Sequence, residues 1–157
     1  MSRPPGGRDP AADADLDSST LQHLIGFRLA LADAAARQTF QRQVGGPLAL
    51  RAVEFTILLL LLGNRDVTPK RLARTLRVSP PNVTVLVDRL VERGLLQRLQ
   101  SPSDGRVTIL QLTPQGTELA RRAQQLSRTM EDGLVRRLSP GERVLLGELL
   151  HKLVAAP

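Results

Sequence analysis

The chain has 157 residues, 41% hydrophobic and 24% charged, enough for one domain with a real core and inconsistent with a disordered or collagen-like chain. It has no cysteine, which excludes disulfides and thiolate chemistry, and its only two histidines, His23 and His151, are far apart and without metal-ligand spacing, so neither a metal nor another cofactor is expected. The net charge is +7, but residues 1–17 hold two arginines against four aspartates, so the remainder carries +9.

Residues 1–17 offer almost nothing to bury and are expected to form a disordered N-terminal tail. They lack the basic, apolar and small-residue pattern of a signal peptide, and a cytoplasmic protein is expected. Ser19 with Gln22 marks the first helix start as a capping box, and that helix is predicted to run to about Val44 and stop at Gly45-Gly46-Pro47. A second helix, from about Leu50 to Leu62, groups Val53, Ile57, Leu60 and Leu61 on one face and stops at Gly63-Asn64. Its apolar run, Phe55 to Gly63, spans nine residues and is too short for a bilayer, so no membrane partner is expected.

Four later helix starts carry a hydroxyl residue followed by proline: Thr68-Pro69, Ser79-Pro80, Thr113-Pro114 and Ser139-Pro140. The hydroxyl can cap free amides, and proline suits the first turn because its missing donor is not needed there. The helix over 69–76 buries Leu72 and Leu76. The next, over 80–93, buries Val83, Leu86, Val87 and Leu90 and ends at Gly94. Extended runs at 95–100 and 106–113 flank "SPSDG" as a hairpin; Ile109 and Leu110 are adjacent apolar residues, which leaves open the face the second run buries. A long helix from Pro114 into the 130s carries Leu119, Ala123, Leu126, Met130 and Leu134. The last, from Pro140 to about Val154, opens with a Ser139/Glu142 capping box and aligns Leu145, Leu149 and Leu153. These long helices carry more apolar surface than the middle region can cover, so a second copy is expected against them.

Two helices joined by a short turn and followed by a basic hairpin make a winged helix-turn-helix, whose second helix enters the major groove of DNA. The expected fold is mainly α, of α+β type: about six helices, a two-stranded wing, and dimerisation helices flanking the DNA-binding part. Residues 18–48 and 114–155 form the helical dimerisation region and 49–113 the winged region. Residues 68–111 hold eight basic and three acidic side chains, a local net charge of +5. On the helix over 80–93 the outward side chains are Pro81, Asn82, Thr84, Val85, Asp88 and Arg89, with Ser79 at its start. Lys70, Arg71, Arg74 and Arg77 are candidate phosphate contacts, and Arg98, Ser103, Asp104, Gly105 and Arg106 are candidate wing contacts. The plainer alternatives are a solvated polar helix face and an Asp104–Arg106 ion pair that merely stiffens a turn.

The segments "LARTLRVSPPNVTVLVDRLVERGLLQR", "SPSDGR" and "LTPQG", within residues 50–116, resemble the MarR family of bacterial transcriptional regulators. The resemblance implies a homodimer that binds a pseudo-palindromic double-stranded operator, with the helix over 80–93 in the major groove and Arg106 in the minor groove. It also implies repression relieved by a small aromatic or acidic ligand. His23, Phe27, Arg51 and Phe55 are named for that ligand only because the first two helices carry them. Three departures stand out: Val85 where relatives often carry a polar or basic reader, Gly105 where a basic residue is common, and no cysteine for an oxidation sensor. No catalytic triad, phosphate-cradling loop or metal spacing suggests an enzyme, and the three phenylalanines lie outside the basic region, which disfavours single-strand or RNA binding. The competing reading is a winged helix used for protein contact, or a DNA-binding regulator without ligand control.

Overall fold

The computed structural model describes residues 16–102 and 104–155, so most of the expected tail, and Ser103 of the wing, lie outside the described residues. The described residues fall into two units, one up to Ala34 and one from Ala35 onward. In the first unit, Ser19–Leu21 form one 3-10 turn, and helix α1 (Ile25–Phe40), which continues into the second, starts six residues later than expected. The expected Ser19/Gln22 capping box does not form. The Asp17 carboxylate takes both the Ser19 amide (2.9 Å) and the Ser19 hydroxyl (3.0 Å), leaving that hydroxyl no role as a cap.

The predicted stop at Gly45-Gly46-Pro47 is also corrected. A π turn (Gln41–Gly45) and helix α2 (Gly46–Leu48) carry the winding through all three residues, and the chain turns only at Ala49, with φ of 50°. Gly45 serves close approach here. A Cβ on it would lie 2.7 Å from the Phe40 ring and 3.0 Å from the Leu50 carbonyl, so glycine admits the packing that lets the helix continue.

Helix α3 (Ala52–Gly63) buries Glu54, Ile57, Leu58 and Leu61. The predicted face is thus rotated: Val53 and Leu60 are only half-buried. Helices α4 (Pro69–Leu76) and α5 (Pro80–Glu92) form the helix-turn-helix, with Leu72 and Ala73 buried on the first and Val83, Val87 and Leu90 on the second, whereas Leu76 and Leu86, expected in the core, are only half-buried. Their connection turns on Arg77 in the left-handed region (φ 53°), and the Val78 amide donates back to the Ala73 carbonyl at 3.1 Å. Gly94, at φ 67°, ends α5, and the Leu95 amide donates to the Leu90 carbonyl at 2.9 Å.

Strands β1 (Leu96–Gln100) and β2 (Thr108–Leu112) pair antiparallel, Leu96 with Leu112 and Arg98 with Leu110. This settles the face left open by the sequence. Leu96 and Leu110 are buried, while Leu99 and Ile109 point the other way. The Leu110 amide donates to the Val67 carbonyl at 2.8 Å, pinning the wing to the loop before α4.

Helix α6 (Pro114–Met130) buries Gly116, Ala120 and Ala123 and ends earlier than the expected run; a short helix α7 (Asp132–Val135) follows, and then α8 (Pro140–Val154). The α8 capping box forms as expected, Ser139 accepting from the Glu142 amide and Glu142 accepting from the Ser139 amide at 2.8 Å. The same carboxylate also accepts the Ser139 hydroxyl, and these two bonds, amide first, hold the Glu142 carboxyl below its usual range. No residue of α8 is buried, and Leu145, Leu149 and Leu153 all lie exposed. Six helices of two turns or more and a two-stranded wing therefore make up the described residues.

Candidate nucleic-acid interface

Three of the four hydroxyl-proline starts cap as expected among the described residues: Thr68 accepts from the Arg71 amide (3.2 Å), Thr113 from the Gly116 amide (3.0 Å), and Ser139 from the Glu142 amide. Ser79 is the exception. Its hydroxyl makes no cap bond, and Pro80 and Pro81 remove two donors, so the first free amide of α5 is left for an outside acceptor. That helix start is exposed, as are Pro81, Asn82, Thr84 and Val85 just beyond it.

The exposed face is short-limbed and apolar in part. Val85, at 51% exposure, presents two methyls to solvent, and the Thr84 hydroxyl donates to the Pro80 carbonyl at 3.2 Å, which fixes its rotamer and leaves its methyl and lone pairs outward. Such groups suit thymine methyls and base edges that come within a few ångströms of the helix. Asp88 is half-buried and committed elsewhere: its Oδ1 accepts from the Arg98 guanidinium at 2.5 Å. The pair ties the flank of α5 to β1. Asp88 and Arg98 therefore join α5 to the wing, and neither presents an unengaged charge to a ligand. Arg89 is exposed and turns toward a pocket shared with Arg51, Glu54, Glu92 and Arg93.

At the wing tip the bond between Asp104 and Arg106 is made by the Arg106 amide, which donates to Asp104 Oδ1 at 2.9 Å, and the Arg106 side chain is exposed. Gly105 is exposed and open around its Cα, so no packing demands glycine there.

The four phosphate candidates divide. Lys70 and Arg74 are exposed, and among the described residues nothing binds their side chains. The Arg71 guanidinium donates to the Asp66 carbonyl (2.9 Å) and the Arg65 carbonyl (3.3 Å), closing the loop in front of α4. Arg77 reaches the Val154 carbonyl at the end of α8. Two cations therefore staple the fold, and two leave their charge exposed on α4.

Of the residues named for a ligand, His23 is exposed and Phe27 half-buried, both in the 1–34 unit. In the other unit Phe55 packs on Phe40 with ring centroids 5.3 Å apart, an ordinary aromatic core contact, while Arg51 lines the pocket beside Arg89. Sequence reasoning missed Glu54 and Arg93. The Glu54 carboxylate, 4% exposed, accepts from the Arg51 amide at 2.9 Å and from Arg93 Nη1 at 3.1 Å, and Arg93 Nη2 donates to the Ala49 carbonyl at 3.1 Å. One carboxylate thus joins the start of α3 to the end of α5. The available signal was a glutamate inside an otherwise apolar helix, which must find a partner to be buried.

A helix pair followed by a hairpin, with a basic first helix and a second helix that opens on two prolines and an exposed start, defines a winged helix-turn-helix DNA-binding protein. A family model described as the MarR family matches residues 50–107. The multiple antibiotic resistance protein MarR of Escherichia coli (strain K12) is 30% identical over 69% of this chain and 76% of its own length. The putative transcriptional regulatory protein for the hcr operon of Thauera aromatica is 28% identical over 89% of this chain and 84% of its own. Among solved structures, the transcriptional repressor CouR bound to a 23-mer DNA duplex superposes with a TM-score of 0.82 at 33% identity, covering 90% of this chain and all of that one. The chain belongs to the MarR family, and it is a DNA-binding transcriptional regulator.

Proposed function

We propose that two copies of this chain bind a pseudo-palindromic operator as a cytoplasmic repressor, without catalytic activity, and release it when a small ligand binds. Each copy lays α5 in a major groove and Arg106 in the adjacent minor groove, while Lys70 and Arg74 meet phosphates. The observation that carries this is the start of α5: an uncapped, exposed helix N-terminus followed by Asn82, Thr84 and Val85. CouR, a repressor bound to duplex DNA, supports the direction of control. The exposed leucines of α8 support the pairing, since a helix without one buried residue is stabilised only when another surface covers it.

Selection of bound sequences from random duplexes, followed by binding titrations over salt, tests the proposal. Half-sites should recur about one helical turn apart, roughly 10 bp. Affinity should fall steeply with salt, with a log–log slope set by several phosphate contacts. Arg106→Ala should weaken A·T-flanked sites most, and Arg74→Ala all sites alike. A flat salt response would instead identify a protein-contact module.

A further inference from the structure

The end of α1, the π turn, and the α6–α7 corner surround an open pocket of about 570 Å³, within the range that holds metabolite-sized ligands. Three of its lining residues are arginines, Arg42, Arg136 and Arg137, and none is an aspartate or glutamate. Among the described residues none of the three guanidinium groups has a hydrogen bond or ion pair. Arg71, Arg77, Arg93 and Arg98, by contrast, each hold a carbonyl or carboxylate, whereas Arg42, Arg136 and Arg137 share their unengaged state with surface arginines such as Arg74 and differ from those in lining one pocket. Three guanidinium groups gathered at one concavity repel one another, and an anion seated between them removes that repulsion while taking planar, bidentate bonds from each.

The backbone adds a separate argument. Arg42 lies within the π turn Gln41–Gly45, and such widened turns recur at functional sites. The turn is held firmly: Val44 is fully buried and Gly45 is wedged between Phe40 and Leu50. Thr39, one of two buried polar residues in the described chain, and Thr129 add hydroxyl groups to the wall, and Met130 and Leu134 form an apolar side.

We propose that this pocket binds a small phosphorylated metabolite. Its multiply charged phosphate is gripped by Arg42, Arg136 and Arg137, and its organic part rests on Met130 and Leu134. The inference rests on the reading of the chain as a ligand-responsive regulator, and it assigns that ligand a chemistry and a place. A carboxylate of single charge would leave two arginines uncompensated, whereas a pyrophosphate matches them.

The test is calorimetric titration of the full chain with inorganic pyrophosphate at fixed ionic strength. Saturable binding is expected, weakened roughly tenfold or more by Arg42→Gln and by Arg137→Gln, since each removes a charge-assisted contact. Arg121→Gln, exposed on α6 outside the pocket, should leave it unchanged. Equal weakening by Arg74→Gln, or equal binding of sulfate at the same ionic strength, would place the anion on the DNA-facing surface or in a diffuse ion atmosphere and overturn the proposal. Duplex affinity, measured with and without pyrophosphate, separates the two readings. Binding that needs Arg42 and leaves DNA affinity unchanged supports the site and removes ligand release. Loss of DNA affinity without dependence on Arg42 removes the site alone.

Discussion

Gly116→Ala sets two effects of opposite sign against each other. Position 116 is in the first turn of α6, where alanine is the better helix former by about 1 kcal/mol, so propensity alone predicts stabilisation. Packing predicts the reverse. A Cβ at this position would lie 1.9 Å from the Leu95 carbonyl oxygen and 2.8 Å from its carbon, both backbone atoms that no rotamer change can move. Restoring an ordinary carbon–oxygen contact, about 3.3 Å, requires a retreat of more than 1 Å. The Leu95 carbonyl accepts the Thr113 amide at 3.1 Å, and Thr113 in turn donates its hydroxyl to the Gly94 carbonyl at 2.7 Å. Losing one such bond costs about 0.5–1.5 kcal/mol, and overpacking a tight contact about 1–3. After the propensity gain the net loss is about 2 kcal/mol, or a fall in melting temperature of about 4–8 °C for a chain of this length. Urea and thermal unfolding at matched protein concentration measure it. A variant as stable as the parent, or more so, would refute the packing argument.

Three further outcomes are expected. A double-mutant cycle on Asp88→Ala and Arg98→Ala should give a coupling of about 0.5–1 kcal/mol, as befits a half-exposed pair; zero coupling in the unfolding midpoints would sever recognition helix from wing. Leu149→Glu should leave the protomer folded, because that side chain is exposed, yet raise the dimer dissociation constant roughly 100-fold or more, since symmetry doubles each loss of about 1.5–3 kcal/mol; sedimentation showing an unchanged dimer would exclude α8 from the contact. The depressed Glu142 carboxyl contributes stability above its unfolded pKa of about 4.3 and loses it as pH falls through the lower folded value, so the parent's advantage over Glu142→Gln in urea should shrink between pH 6 and pH 3. An advantage constant over that interval would remove the charge from the cap.

The elements most legible in the sequence are those whose cause is local. Pro69, Pro80, Pro114 and Pro140 each open a helix where the pairing with a preceding hydroxyl residue says they should, and Gly94 stops α5 through its positive φ. Most of the buried face of α5 was legible, because Val83, Val87 and Leu90 recur at helical spacing, while the expected Leu86 is only half-buried. The same reasoning failed on α3, where "ILLLLL" is apolar all round and only the tertiary contacts decide that Leu58 is buried ahead of Leu60. It failed again at Gly45-Gly46-Pro47, because three helix breakers in a row are overruled by the close approach of Phe40 and Leu50. Contacts between distant residues left the weakest trace: nothing local tells that Glu54 will meet Arg93, or that Arg71 and Arg77 will spend their charge on carbonyls while Lys70 and Arg74 keep theirs.

That division of the cations bears on how the protein reads DNA. Helix α5 is held at its start by the Arg77 turn, along its flank by Asp88 and Arg98, and at its end by Arg93 on Glu54 and Ala49. In the reading proposed above, the exposed side chains near its start, Asn82, Thr84 and Val85, are too short to reach for a misplaced base, so their value depends on the helix being held in one orientation. The fold meets that demand with the charges that a looser design would have pointed at phosphates. Arg106 follows the opposite principle. In the reading proposed above, its long side chain on the hairpin tip follows a groove whose width varies with sequence. In that proposed reading, rigid placement for close contacts and a long arm for shape are complementary, and each arginine withdrawn into the scaffold lowers indiscriminate phosphate attraction without removing a base contact.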